Sequence, residues 1–241
     1  MTPDAASRPA AGPDDLAYAA VLRAAAGDAT LRKTERTRAR LLASLAGQLM
    51  DGVERGELRV AGVTAGAGLA HGTFYRYFPD IRAATEALVE EFAGFVRTGL
   101  AGARDGQTGS RERVRGATLL YVRLFRANAG LMRCLIALGR ESDAFSRAYQ
   151  RLNREWNLRM AAAIARRRAA AAGGLPQPAE HFLPAAYALG GMVDEFLTQL
   201  YLRHDPALAA LHDDEAAVAE LLAELWCLGA DGVAALRPAA P

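Results

Sequence analysis

Apolar residues fall at helical spacing along most of the chain. Leu41, Leu42, Leu45, Leu49 and Val53 recur at steps of three and four, which places them on one face of a helix. The pattern predicts a helix over about 33–54, opened by Thr30 or Thr34 as an N-cap and stopped by Gly56. Val60, Val63 and Ala67 predict a short second helix ending at Gly68, and a third short helix runs from about Ala70 to Tyr77 until Pro79 breaks it. Ile81, Ala84, Leu88, Phe92 and Phe95 mark the inner face of a fourth helix, with Asp80 as its cap. Ahead of this group, Leu16–Ala26 has the pattern of a short helix that Gly27 ends. Residues 1–14 hold Pro, Gly, Ala and Asp with little to bury and are expected to be disordered.

The second half repeats the helical pattern at greater length. After a polar break at 102–109, amphipathic stretches are predicted over 114–127, 130–138 and 142–172. Gly173–Pro178 reads as a loop. Two long helices follow, about 180–203 and 213–236, with Asp205-Pro206 starting a short turn between them. Asp213, Asp214 and Glu215 suit the start of the last helix, where the backbone dipole favours negative charge. No alternating strand pattern persists. Abundant Ala, Leu and Arg, all strong helix formers, agree with an all-α fold. At 241 residues, 51% of them hydrophobic, the chain can bury a sizeable core.

Charge narrows the picture once it is read locally. The whole chain carries only +2, too little to argue for any polyanionic partner. Between Leu31 and Arg82, however, nine basic residues face five acidic ones, a net +4, so the remainder is slightly acidic. The first group of short helices is a basic head on a near-neutral body. Two short helices joined at Gly68-Leu69 form the pattern of a helix-turn-helix.

The segment Val60–Phe78 also holds the right side chains for reading DNA. A recognition helix brings short and polar groups to base edges and plants phosphate contacts beside them. His71 offers a donor or acceptor, Gly72 a close backbone approach, and Thr73 a hydroxyl with a methyl. Tyr75 and Tyr77 have hydroxyls for phosphates and Arg76 supplies charge, while Phe74 and Phe78 suit a small core.

Other chemistry finds little support. The glycines at 62, 66, 68 and 72 do not make a dinucleotide fingerprint. The four histidines and two cysteines are not at metal-ligand spacing, so neither metal nor cofactor is expected. Cys134 and Cys227 are expected to be buried, reduced thiols. No serine stands in a nucleophile elbow. Asp194-Glu195 and similar carboxylate pairs read as solvated helix positions, and Arg166-Arg167-Arg168 as a solvated helix end. The start of the chain lacks a signal-peptide pattern and no stretch is long and apolar enough to span a membrane. The expected location is the cytoplasm.

Thr37-Arg38-Ala39-Arg40-Leu41-Leu42, then Val63-Thr-Ala-Gly-Ala67-Gly68-Leu69 and Gly72-Thr73-Phe74-Tyr75-Arg76-Tyr77-Phe78, together resemble the DNA-binding domain of tetracycline-repressor (TetR) family regulators. The resemblance covers about residues 33–92. It implies an N-terminal three-helix helix-turn-helix domain at 31–80, preceded by an extension at 1–30 that is disordered or partly helical. A C-terminal helical ligand-binding and dimerisation bundle at 81–241 follows. It implies a DNA-binding set of Arg38, Arg59, Thr64, Ala70, His71, Gly72, Thr73, Tyr75, Arg76, Tyr77 and Arg82. The sequence departs from the family pattern at Arg59, where a Thr or Ser cap is usual, at Ala70, where Ser or Thr is common, and at Ile81, where Lys is usual.

The same resemblance implies two further sites. Tyr121, Phe125, Leu131, Met132, Leu135, Trp156, Met160, Tyr187, Met192 and Phe196 are candidates to line a pocket for a small hydrophobic ligand. Leu197, Leu200, Tyr201, Leu221, Leu222, Leu225 and Trp226 are candidates for a homodimer interface on the last two long helices, with Gly190-Gly191 allowing close approach. A two-fold dimer would bind double-stranded DNA at a near-palindromic operator. The expected function is a repressor released by its ligand. An activator of the same build, a helical-bundle enzyme and a helical interaction module are the alternatives.

Overall fold

The computed structural model describes residues 16–102, 110–138 and 144–233. Among them every regular element is helical. Ten α-helices run α1 (Tyr18–Gly27), α2 (Lys33–Met50), α3 (Val60–Gly66), α4 (His71–Phe74), α5 (Ile81–Gly102), α6 (Ser110–Ala127), α7 (Ala129–Leu138), α8 (Ala144–Ala172), α9 (Leu183–Tyr201) and α10 (Glu215–Gly232). Short 3-10 turns at Arg55–Glu57, Ala179–Phe182 and Pro206–Leu211 link some of them. The expected disorder of 1–14 falls outside the described residues, as do 142–143 and 234–236 of the predicted helices.

The chain divides into two compact units, and the boundary falls inside α5, after Leu88. In the first unit the predicted apolar stripe of α2 is the core: Leu41, Leu42, Leu45 and Leu49 are all buried, together with Leu58, Val63, Phe74 and Phe78. α1 lies along α2 and adds Tyr18, Ala19 and Leu22 to that core. Neither threonine caps α2. Thr30 donates its hydroxyl to Asp28, and Glu35 reaches back to the Arg32 backbone N–H at 2.8 Å. A carboxylate in the first turn thus does the capping expected of a hydroxyl. Asp80 does cap α5, accepting from the Ala83 N–H at 2.7 Å.

In the second unit α6 and α10 run side by side, and α8 packs on α9. One core cluster unites Ala161, Ile164 and Ala165 of α8 with Phe182, with Ala186 and Leu189 of α9, and with Ala230 of α10. Small alanines bring these backbones close, and the larger Phe182 and Ile164 fill the space between. Gly229 makes the closest approach: a Cβ there would stand 2.5 Å from Leu189 Cδ2. Asn128 is the hinge between α6 and α7. It is buried, and its amide donates to the Leu124 carbonyl at 2.9 Å, closing α6 as α7 begins.

Ion pairs tie α10 to its neighbours. Arg126 meets Asp213 at 2.6 Å and Glu215 at 3.2 Å, and Arg123 meets Glu215 at 3.1 Å. Arg167 grips the Asp231 carboxylate and Arg168 donates to the Asp231 carbonyl. Two residues of the arginine run expected at a solvated helix end therefore bind α8 to the last turn of α10. No described helix is long and apolar enough to cross a membrane.

Candidate nucleic-acid interface

The turn between α3 and α4 is built by three local features. Gly68 adopts φ +62, a conformation that costs an L side chain about 1–2 kcal/mol. The Leu69 N–H then closes back on the Thr64 carbonyl at 2.9 Å. From α2, the Arg40 guanidinium donates to the Ala67 carbonyl at 2.7 Å, satisfying an acceptor that the end of a short helix would leave open. The sequence pointed to the glycine but not to Arg40, whose role depends on a contact 27 residues away.

α4 is a single turn of helix anchored from beneath. Phe74 is fully buried and its ring lies 5.6 Å from that of Phe78. Arg38 of α2 places its guanidinium over the Phe78 ring at 5.4 Å, a cation–π contact that engages the charge in holding the head. With Phe74 pointing inward, the opposite side of the turn faces solvent. Ala70, His71, Gly72, Tyr75 and Arg76 are exposed, and Thr73 and Tyr77 are half-buried beside them. The His71 and Tyr75 rings meet edge to face at 5.5 Å, and the Tyr75 ring also meets Phe74 edge-on. Tyr75 is thus held in place although 53% of it is exposed.

Three other residues of the predicted set are placed differently. Thr64 is buried, and its hydroxyl donates back to the Val60 and Ala61 carbonyls at 2.9 and 3.1 Å. Arg59 curls over the start of α3 and donates to the Gly56 and Leu58 carbonyls at 2.7 and 2.9 Å. As a donor it cannot replace the absent Thr or Ser cap, and the first N–H groups of α3 receive no side-chain cap. Arg82 is exposed and pairs with Glu86 at 2.7 Å. The structure therefore brings His71, Gly72, Thr73, Tyr75, Arg76 and Tyr77 together on one small surface. Arg38, Arg59 and Arg82 are engaged with protein groups, and the Thr64 hydroxyl turns inward.

No protein-family model and no curated protein sequence matches the chain. Solved structures do. A TetR-like transcriptional regulator from Rhodococcus sp. RHA1 aligns over 84% of this chain and 100% of its own, with TM-score 0.60 and 17% identity. The transcriptional regulator FadR from Bacillus subtilis, solved with stearoyl-CoA, aligns over 79% of this chain and 97% of its own, with TM-score 0.59 and 16% identity. The chain has the TetR-like fold.

In the TetR-like second unit the predicted pocket residues divide into two groups. Phe125, Leu131, Met132 and Leu135 are buried in packed core. Tyr121, Trp156, Met160, Met192 and Phe196 are half-buried, and Tyr187 is exposed. Met160, Met192 and Trp226 pack around the cluster on Phe182. Asp194, expected only as a solvated helix position, has a partner on another helix. It accepts a hydrogen bond from the Tyr121 hydroxyl at 2.7 Å, joining α9 to α6. The residue keeps exposed surface, yet desolvation by the surrounding protein pushes its pKa up, against the lowering effect of Tyr121.

The predicted dimer residues also divide. Leu197, Leu200, Tyr201 and Leu222 are buried within the single chain, so their surface is already used. Leu221 and Leu225 are exposed, and Leu228 joins them at 58% exposure. These three lie at steps of four and three, one stripe along α10. Gly190 offers only ordinary contact, to Asn157 of α8. The close approach between α9 and α10 comes instead at Gly229.

Proposed function

We propose that this chain is a ligand-responsive, DNA-binding transcriptional regulator that acts as a homodimer, most simply a repressor released from a near-palindromic operator. The observation that carries the reading is the outer surface of α4. Its phenylalanines are turned inward, and it presents a histidine, a backbone glycine, a threonine, two tyrosines and an arginine to solvent. That set matches what base edges and phosphates require, and it sits on the basic segment of a near-neutral chain. The DNA-binding domain of this reading spans about 31–80, with α1 as an added brace on α2.

The exposed leucine stripe of α10 supports the dimer. Contiguous apolar surface of this kind marks an interaction face, and a second copy presents the same stripe to it across a two-fold axis. Leu225→Arg is expected to give monomers by sedimentation velocity; an unchanged dimer would put the interface elsewhere. Ligand binding in the second unit is expected to change DNA affinity through a coupling of about 1–3 kcal/mol.

A titration of a fluorescent duplex of random sequence at rising salt tests the DNA reading. Affinity should fall steeply with salt, and Arg76→Ala should flatten the log–log slope by about 0.9, the value of one phosphate neutralised. A salt-independent interaction, or a slope untouched by Arg76→Ala, would exclude α4 as the contact surface.

A further inference from the structure

The glycines at 62, 66 and 68, which make no dinucleotide fingerprint, face one polar stripe of α2. Arg40, Ser44 and Gln48 stand four residues apart on that helix and so share a face. A Cβ on Gly62 would meet Gln48 Oε1 at 3.2 Å, one on Gly66 would run into Ser44 Oγ, and one on Gly68 would stand 3.2 Å from Arg40 Nη2. Polar ends of α2 side chains thus rest on bare backbone along α3 and into the turn that follows it.

Arg40 closes the stripe at the place where α4 is about to begin. Its guanidinium donates to the Ala67 carbonyl at 2.7 Å and lies 3.5 Å from the Gly68 carbonyl oxygen. Beyond the turn α4 holds four residues, His71–Phe74, too few for a helix to be stable by its own hydrogen bonds. Its direction therefore comes from its attachments. Buried Phe74 and Phe78 fix it from beneath, and the turn fixes where it starts. Ala70 gives that start no side-chain cap, and the side chain that holds the turn comes from α2. Placement of this kind matters unequally for the two parts of DNA binding. Hydrogen bonds to base edges carry the sequence information and weaken steeply as their angles open. Attraction to the phosphates is far less directional and survives a small shift of α4.

We propose that Arg40 is a positioning residue for sequence recognition: it fixes where α4 leaves the turn, and so sets the preference among sequences without neutralising a phosphate itself. The proposal rests on the reading of α4 as a DNA-binding surface.

Two labelled duplexes of equal length test it. One carries the consensus that selection from a random pool yields, and the other carries the same bases scrambled. Each is titrated with the full-length protein by fluorescence anisotropy at several salt concentrations. Arg40→Met keeps an apolar stem and loses the donor. It is expected to bind the consensus about tenfold more weakly than the parent does, the scale on which a base contact discriminates. Its affinity for the scrambled duplex should stay within about twofold of the parent's and its salt slope should be unchanged, because phosphate contacts supply the non-specific binding. Arg40→Lys restores a donor and is expected to recover most of the preference. Urea denaturation of both variants checks that the comparison is between folded proteins. A slope lowered by about 0.9 in Arg40→Met would make Arg40 a phosphate contact and overturn the positioning role. Equal losses on the two duplexes, a preference as strong as the parent's, or no recovery in Arg40→Lys would overturn it as well. In each of these cases the DNA-binding reading stands. If selection with the parent yields no consensus, that reading fails and the role of Arg40 falls with it.

Discussion

Tyr75 and Gly68 show how differently single residues serve the same small head. Tyr75 is exposed but oriented by two ring contacts, so on the proposed reading its hydroxyl serves recognition and not folding. Tyr75→Phe is expected to weaken duplex binding about tenfold, the scale of a hydrogen bond to a charged phosphate oxygen. Stability should stay within about 0.5 kcal/mol of the parent in urea denaturation. Gly68→Ala acts the other way. It forces a side chain into the positive-φ turn and toward Arg40, 3.2 Å from the new Cβ, and should cost about 1–2 kcal/mol. Asp194 is a third kind of residue, an exposed carboxylate held by the Tyr121 hydroxyl. Its folded pKa is raised by desolvation, so the penalty is in force at neutral pH and is relieved as pH falls through that raised value. Asp194→Asn should therefore melt higher than the parent at neutral pH, with the difference shrinking in acid. A melting temperature lowered at neutral pH would show that the carboxylate stabilises the bundle.

At the scale of elements, α10 is fastened to α8 by charge and to α9 by close packing. Arg167 hydrogen-bonds Asp231 and holds its carboxyl below the usual carboxylate range. The stability from this pair is fully present above the ordinary carboxylate pKa and fades as pH falls through the depressed folded value. Asp231→Asn should remove that part of the acid sensitivity, read as a smaller drop in melting temperature between neutral and acid pH. At Gly229 the constraint is steric: any side chain there must displace the buried Leu189, and overpacking of this kind costs about 1–3 kcal/mol. The helices themselves were legible because each keeps one apolar face, as α2 does through Leu41, Leu45 and Leu49. Their fastenings were not. The Arg40 contact to the turn, the Arg167–Asp231 pair and the Tyr121–Asp194 bond join residues far apart in sequence, and local spacing carries no trace of such partners.

For the whole molecule, legibility followed the locality of each site. The exposure of the proposed reading surface was legible because its six residues lie within 71–77, with Phe74 and Phe78 setting which side faces inward. The proposed dimer and ligand sites draw on helices spread over more than a hundred residues. There, periodicity marks a residue as apolar without telling which face it serves. Leu222 and Leu225 lie within one turn of the same helix, yet one is buried and the other exposed. On the proposed reading, two α4 surfaces in a two-fold dimer read specific DNA. Selecting duplexes from a random pool with the full-length protein at several salt concentrations puts this to the test. The expected result is a near-palindromic consensus, bound with an affinity that falls steeply as salt rises. Weak binding that shows no sequence preference at any salt concentration would contradict it.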